Sequence, residues 1–187
     1  MTISKQSWST GNGNSPTKTV KHIDPMTNNF TRDARFQAEA TLLGYHFDGE
    51  IKIGGNYVPV VRDGQQIFIS GQVPRVGDTV VVTGAAGAEV DTSRAQIAAK
   101  ICAMRALALL QRALGSLDQV RAILRITVFV RCTADFTQHS EVADAASEVF
   151  YRVLGEAGAH TRTSVGVLQL PKSATVELDL IASALEP

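Results

Sequence analysis

Thr161-Arg162-Thr163-Ser164-Val165-Gly166-Val167-Leu168-Gln169-Leu170-Pro171, followed closely by Val176-Glu177-Leu178-Asp179-Leu180, carries the most informative pattern in the chain. β-branched and aliphatic residues dominate both segments and predict two strands, with Pro171-Lys172-Ser173 as the turn between them. Arg162 opens the first strand, and its permanently charged, planar guanidinium matches a carboxylate in bidentate fashion. Glu177 stands between Val176 and Leu178, so strand alternation sends its carboxylate to the face opposite theirs. Two readings stay open. If the strands pair as neighbours, a cation and a potential base border one cleft; otherwise both are solvated strand residues.

Upstream, Phe36, Ala40 and Leu43 follow helical spacing and predict a helix over 33–43, with Gly44 taking the left-handed position at its C-terminal end. Runs at 57–61 and 66–70 flank Arg62-Asp63-Gly64-Gln65, a hairpin signal, and a further strand is expected at 79–83. Ser93-Arg94-Ala95-Gln96 has the form of a capping box that starts the main helix. Ile97, Ile101, Met104 and Ala108 form one stripe on that helix, widened by Leu107, Leu110 and Leu114, and Gly115 ends it. In 120–131 every even position is apolar, whereas the odd positions include Arg121, Arg125, Thr127 and Arg131, with Ile123 and Phe129 among them. One face of this strand should be core, and the other a solvated face or a wet subunit interface. A second helix over 140–154 carries Val142, Val149, Phe150 and Val153 and is closed by Gly155. The order of elements predicts an α+β layer, a mixed sheet with both main helices on one face.

With 187 residues and 44% hydrophobic content, the chain is long enough for one domain with a substantial core. The formal net charge of +0 gives no general attraction to nucleic acid or to an acidic membrane, and no apolar run approaches a membrane span. Residues 1–32 are expected to be a flexible polar tail, with Gly11-Asn12-Gly13-Asn14-Ser15-Pro16 as breakers and Trp8 as its lone large aromatic, followed by one domain over 33–187. Met1–Trp8 lacks the apolar core of a secretory signal, and the first 23 residues, although free of Asp and Glu, contain no Arg, so a cytoplasmic location is expected. Cys102 and Cys132 have no framework spacing and are expected to be free thiols.

Several chemistries find no support in the pattern. His22, His46, His139 and His160 lack metal-ligand spacing, and the chain has no Gly-x-Ser-x-Gly elbow, Walker loop or dinucleotide fingerprint. A site without metal or cofactor is expected. The pattern His160-x-Arg162-x-x-Val165-Gly166-Val167-x-x-Leu170-Pro171 with Val176-Glu177 resembles the signature strand of the YjgF/YER057c/UK114 family, the Rid enamine/imine deaminases, also named endoribonuclease L-PSP. The likeness runs through Gly55–Arg62, Ile69–Pro74, Ala98–Ala103, Gly115–Val120 and Phe136-Thr137.

The resemblance implies a chorismate-mutase-like fold that assembles as a homotrimer with clefts between subunits. It also implies hydrolysis of 2-imino or 2-enamino acids to 2-oxo acids and ammonia, with a small 2-imino/2-oxo acid as ligand. By this likeness Arg162 anchors the substrate carboxylate, Glu177 activates water, and Ser164 stands where many relatives carry cysteine. Tyr57, Ser70, Gly71 and Asp144 would line the cleft. Asp144 departs from the family's usual asparagine, Gly166 replaces a common glutamate, and Arg105 falls where asparagine is frequent. These departures leave open a second class, a trimer that binds a small carboxylate without turning it over. Ribonuclease activity is disfavoured by the zero net charge and the lack of an aromatic-basic surface pattern.

Overall fold

The computed structural model describes residues 30–186. Its elements in chain order are helix α1 (Arg32–Leu43), strands β1 (Val60–Asp63), β2 (Gln66–Gln72), β3 (Arg75–Val76) and β4 (Thr79–Val80), helix α2 (Thr92–Leu114), strand β5 (Val120–Arg131), helix α3 (His139–Leu154), and strands β6 (Thr161–Val167) and β7 (Val176–Ala184). Five strands form one sheet in the order β1-β2-β7-β5-β6, in which β5 and β6 run parallel and the other neighbours antiparallel. The parallel pair needs a crossover, and α3 supplies it. The expected α+β layer is present: α2 and α3 pack together beneath the sheet, and α1 packs on both. The proposed flexible tail lies almost wholly outside the described residues. Among those described, no helix is long and apolar enough to cross a membrane.

Alternation decides which side of the sheet each residue occupies. Ile67 and Ile69 of β2, Ile126, Val128 and Val130 of β5, and Val176, Leu178, Leu180 and Ala182 of β7 are buried under the helices. The opposite face is uncovered. Across it run cross-strand rows of Phe129, Val165 and Glu177 and of Thr127, Thr163 and Asp179, set by the β5–β6 and β5–β7 registers. Phe68 and Val165 are exposed on this face.

In β5 the strict even-odd reading holds only for part of the strand. Register shifts between Val120 and Ala122 and between Ile123 and Arg125 each insert one extra residue. A bulge reverses the facing of everything beyond it, so Ile123 is buried whereas Leu124 is exposed. The hairpin turn is Gly64-Gln65, because Asp63 pairs with Gln66, and Gly64 supplies the positive φ of 59°. Tyr57 to Pro59 precede the strand rather than belong to it. The strand expected at 79–83 shrinks to Thr79–Val80, paired with Arg75–Val76 in a separate small sheet. Val82 then turns into the core, and Thr83 makes only an isolated bridge to Ala174.

Helix α2 is buried nearly all round, since Ala95, Ala98, Ala99, Ala103 and Ala106 join the predicted stripe in the core. Small residues let it lie close to the sheet on one side and to α3 on the other, whereas Ile97 and Leu114 remain partly exposed. The capping box at Ser93 does not form. Asp91 is the cap, its Oδ1 accepting from the Arg94 N–H at 2.7 Å, and Gln96 instead donates to the Glu141 carbonyl. Asp91 comes first along the chain and starts the helix at Thr92, two residues before a cap at Ser93 would, so the orphan donor it satisfies is the Arg94 N–H. Asp91→Ala is expected to lower unfolding stability by about 1 kcal/mol, whereas Ser93→Ala, at an exposed position, should stay within about 0.5 kcal/mol. Denaturant titration of both variants checks the assignment of the cap, and equal losses would overturn it.

Candidate active site

On β6 the side chains of Arg162, Ser164 and Gly166 share the helix-side face, because they pair with Ile126, Val128 and Val130 of β5. As β6 is the edge strand, these side chains lie at the margin of the core, against α3. Arg162 donates from one terminal nitrogen to Asp144 Oδ1 at 2.8 Å and to Ser147 Oγ at 2.9 Å, and from the other to the Ser140 carbonyl at 3.5 Å. Ser140, Asp144 and Ser147 recur at helical spacing and present one polar stripe of α3 to the guanidinium.

Ser147 is itself held. Its hydroxyl lies 2.9 Å from His160 Nε2, and His160 Nδ1 lies 2.6 Å from the Gly158 carbonyl. A carbonyl only accepts, so Nδ1 carries the proton and Nε2 accepts from the serine hydroxyl, whose oxygen is then free to accept from Arg162. The imidazole packs against the Phe150 and Tyr151 rings. Burial pushes its pKa below the ordinary value, which keeps it neutral and preserves this direction of donation. The Arg162 side chain retains 22% exposure and that of Asp144 70%, so one partner of the guanidinium is fixed and the other reaches it from solvent.

Beside Ser164, Gly166 leaves room for a pair of side chains: a Cβ there would come within 2.6 Å of His139 Nε2 and 2.8 Å of Cys132 Sγ. Those two atoms are 3.4 Å apart. The volume beside Gly166 is filled by Cys132, just past the end of β5, and by His139 at the start of α3. Both cysteines are free thiols; Cys102 is fully buried in α2, and its thiol pKa is raised by that burial.

Glu177 belongs to the other face. In β2 a bulge sets Ser70 and Gly71 against the single residue Asp179, since Ile69 pairs with Leu180 and Gln72 with Leu178. The Glu177 carboxylate lies over Gly71 so closely that any Cβ at 71 would overlap it. Desolvation first, and the neighbouring Asp179 carboxylate second, raise the Glu177 pKa above the ordinary carboxylate value. Glu177 borders a cavity of about 190 Å³ whose wall also includes Tyr57, Gly71, Arg75, Arg105 and Lys172. Ser70 flanks this wall without contributing to it; its N–H donates to the Pro59 carbonyl, and its own carbonyl accepts from Gln72.

The candidate residues therefore fall into two groups. Arg162, Ser164 and Asp144 gather at the β6–α3 margin, and Tyr57, Gly71 and Glu177 at the β2–β7 cavity. The condition under which Arg162 and Glu177 would border one cleft, pairing of β6 with β7, is not met: β5 lies between them. Ser147 was missed, because a serine among the apolar residues of a helix reads as a tolerated core position. Its signal was the i, i+3 spacing from Asp144.

Residues 43–183 match a family model described as YjgF/chorismate mutase-like, putative endoribonuclease. Protein TCP17 of Trypanosoma cruzi is 38% identical over 148 residues, spanning 79% of this chain and 92% of the trypanosome protein. The crystal structure of Atu1372 from Agrobacterium tumefaciens, a protein of unknown function, superposes with a TM-score of 0.75 at 33% identity, over 83% of this chain and 96% of that one. TdcF of E. coli, solved with bound serine, matches with a TM-score of 0.53 at 25% identity, over 71% of this chain and 91% of TdcF.

The close seat of Glu177 on Gly71 gives a direct test. Gly71→Ala should push the carboxylate off the strand toward solvent, and its pKa should then fall toward the ordinary carboxylate range, since burial is what raises it. NMR titration of the Glu177 carboxyl in both proteins measures this, and an unchanged pKa would refute the contact.

Proposed function

Because this chain belongs to the YjgF/chorismate mutase-like family, we propose that it hydrolyses 2-imino or 2-enamino acids to 2-oxo acids and ammonia, in clefts completed between the subunits of a homotrimer. The observation that carries this reading is the Arg162 guanidinium, oriented by the buried Ser147–His160 chain while a solvent-exposed carboxylate occupies its outer side. A small acid can take the place of that carboxylate. TdcF, a protein of similar fold, holds serine, which also bears a carboxylate next to a nitrogen-bearing carbon.

Anchor and base lie on opposite sides of one sheet, so a single small molecule cannot touch both within one protomer. A neighbouring copy resolves this. The uncovered face, with Phe68, Phe129 and Val165, is the surface a second copy would bury, bringing its Arg162 margin to the Glu177 cavity of the first. In the completed cleft the guanidinium fork grips the substrate carboxylate, each charge-assisted bond contributing about 1.5–3 kcal/mol. Glu177 accepts a proton from water as the oxygen bonds to the imine carbon. The C=N π bond opens and that proton passes to nitrogen, giving a carbinolamine; its hydroxyl proton then moves to the same nitrogen, the C–N bond breaks, and ammonia leaves as the carbonyl forms. The elevated pKa makes Glu177 a stronger base than an ordinary carboxylate. Ser164, on the same face as Arg162, offers a hydroxyl to the water or the substrate.

A second reading rests on Asp144. A substrate acid must displace this carboxylate from Arg162, and a protein evolved only to hold a small acid and sense its concentration would tolerate the same competition. Turnover separates the two: binding of 2-oxo acids without faster release from their imines supports the second.

Three outcomes are expected. Purified protein coupled to an amino-acid oxidase should accelerate 2-oxo acid formation, Arg162→Ala should abolish the effect, and Glu177→Gln should lower kcat about 10²–10⁴-fold. Activity should fall with acidification as Glu177 is protonated, and since its folded pKa is raised, that loss begins at higher pH than for a free carboxylate of pKa about 4.3. Light scattering should give three times the 20.0 kDa chain mass. A monomer, or an Arg162→Ala variant of full activity, would overturn the reading.

A further inference from the structure

The cavity beside Glu177 holds more positive charge than the binding of one carboxylate uses. Its wall includes the cations Lys52, Arg75, Arg105 and Lys172 and, as its sole acid among the described residues, Glu177. Lys52 is neutralised by Asp78 on the surface. Arg105 is not neutralised. It rises from the middle of α2 and is only 5% exposed, and one of its terminal nitrogens donates to the Arg75 carbonyl at 2.9 Å. Its Nε has no hydrogen-bond partner, and neither has the buried Nε of Arg75. Among the described residues no carboxylate comes within ion-pair distance of either arginine.

A guanidinium nine-tenths buried with an idle donor is costly unless something anionic arrives, because water has been removed and nothing has replaced it. Glu177 does not fill this role. A cation paired with it would depress its pKa, yet the Glu177 pKa is raised, by burial and by Asp179. Arg105 lines a second cavity of similar size as well. In the proposed trimer the neighbouring protomer's Arg162 would hold the first acid group of the ligand, and Arg105 lines the cavity which that ligand would enter.

We propose that Arg105, with Arg75 beside it, receives a second carboxylate, so that the cleft selects four- and five-carbon 2-imino and 2-oxo diacids over their monocarboxylic counterparts. The inference rests on the reading of this cleft as a 2-imino/2-oxo acid site and adds the class of acid.

Calorimetric titration of the intact wild-type protein with 2-oxoglutarate and with 2-oxobutyrate tests it without any need for turnover. The diacid should bind at least tenfold more tightly, about 1.4 kcal/mol. Arg105→Gln, and independently Arg75→Gln should the first variant fold poorly by circular dichroism, should collapse the ratio of the two affinities toward one. Equal wild-type affinities, or a diacid preference that survives both substitutions, would overturn the assignment while leaving the deaminase reading standing. Binding of neither acid would remove the cleft reading and this one with it.

Discussion

A β-strand presents successive side chains to opposite faces, and this one constraint dictates what the site can be. Arg162 faces α3 because it pairs with Ile126, and Glu177 faces away from the helices because it lies between the buried Val176 and Leu178. No rotamer brings them together through a packed sheet. The core that holds the fold together, Ile126, Val128 and Val130 against α2 and α3, is what separates the anchor from the base. Within one protomer the two groups cannot meet on a single small molecule, and the uncovered face of the sheet is the face on which Glu177 stands.

The two half-sites solve the problem of a buried charge in different ways. Arg162 is fully engaged through a chain with a defined direction, from guanidinium to serine to a neutral imidazole to a backbone carbonyl. Such a chain fixes the fork before any ligand arrives, which is the form of preorganisation that lets a charge-assisted contact contribute to binding rather than to ordering. Protonation of His160 would turn Nε2 from acceptor to donor and break the chain in the middle. Because its folded pKa is depressed, the stabilisation it gives is complete above about pH 6.5 and declines as the pH falls below that. Arg105 is the contrary case, desolvated and left with an idle donor beside a cavity.

The apolar periodicity of the helices and of β5 was legible, because burial acts on whole stretches and repeats every few residues. The helices over 33–43 and 140–154 fall within a residue of their observed starts, and the β5 limits coincide. What escaped depended on single hydrogen bonds or insertions. Ser93-Arg94-Ala95-Gln96 has the right residues for a cap, but Asp91 caps the helix two residues earlier by accepting from the Arg94 N–H. Two bulges in β5 exchange Ile123 for Leu124 in the core, and no residue in that stretch announces either one. In the site, Arg162 and Glu177 stood out as charges in apolar strands. Their placement on opposite faces did not, since on β6 the polar positions Arg162 and Ser164 face the helices while the apolar Val165 is left exposed.

Gly71 and Gly166 show what a missing side chain does at each of the two places. Each lies on one of the half-sites, and each is empty of side chain because another side chain needs the space: the Glu177 carboxylate over Gly71, the Cys132 and His139 pair over Gly166. At Gly71 the missing Cβ lets a carboxylate lie on the strand, away from bulk water, and that shelter is the main cause of its raised pKa. At Gly166 the missing Cβ leaves room for the Cys132 thiol and the His139 imidazole. β6 itself carries no Asp or Glu, so the carboxylate that reaches the Arg162 guanidinium comes from α3, through Asp144.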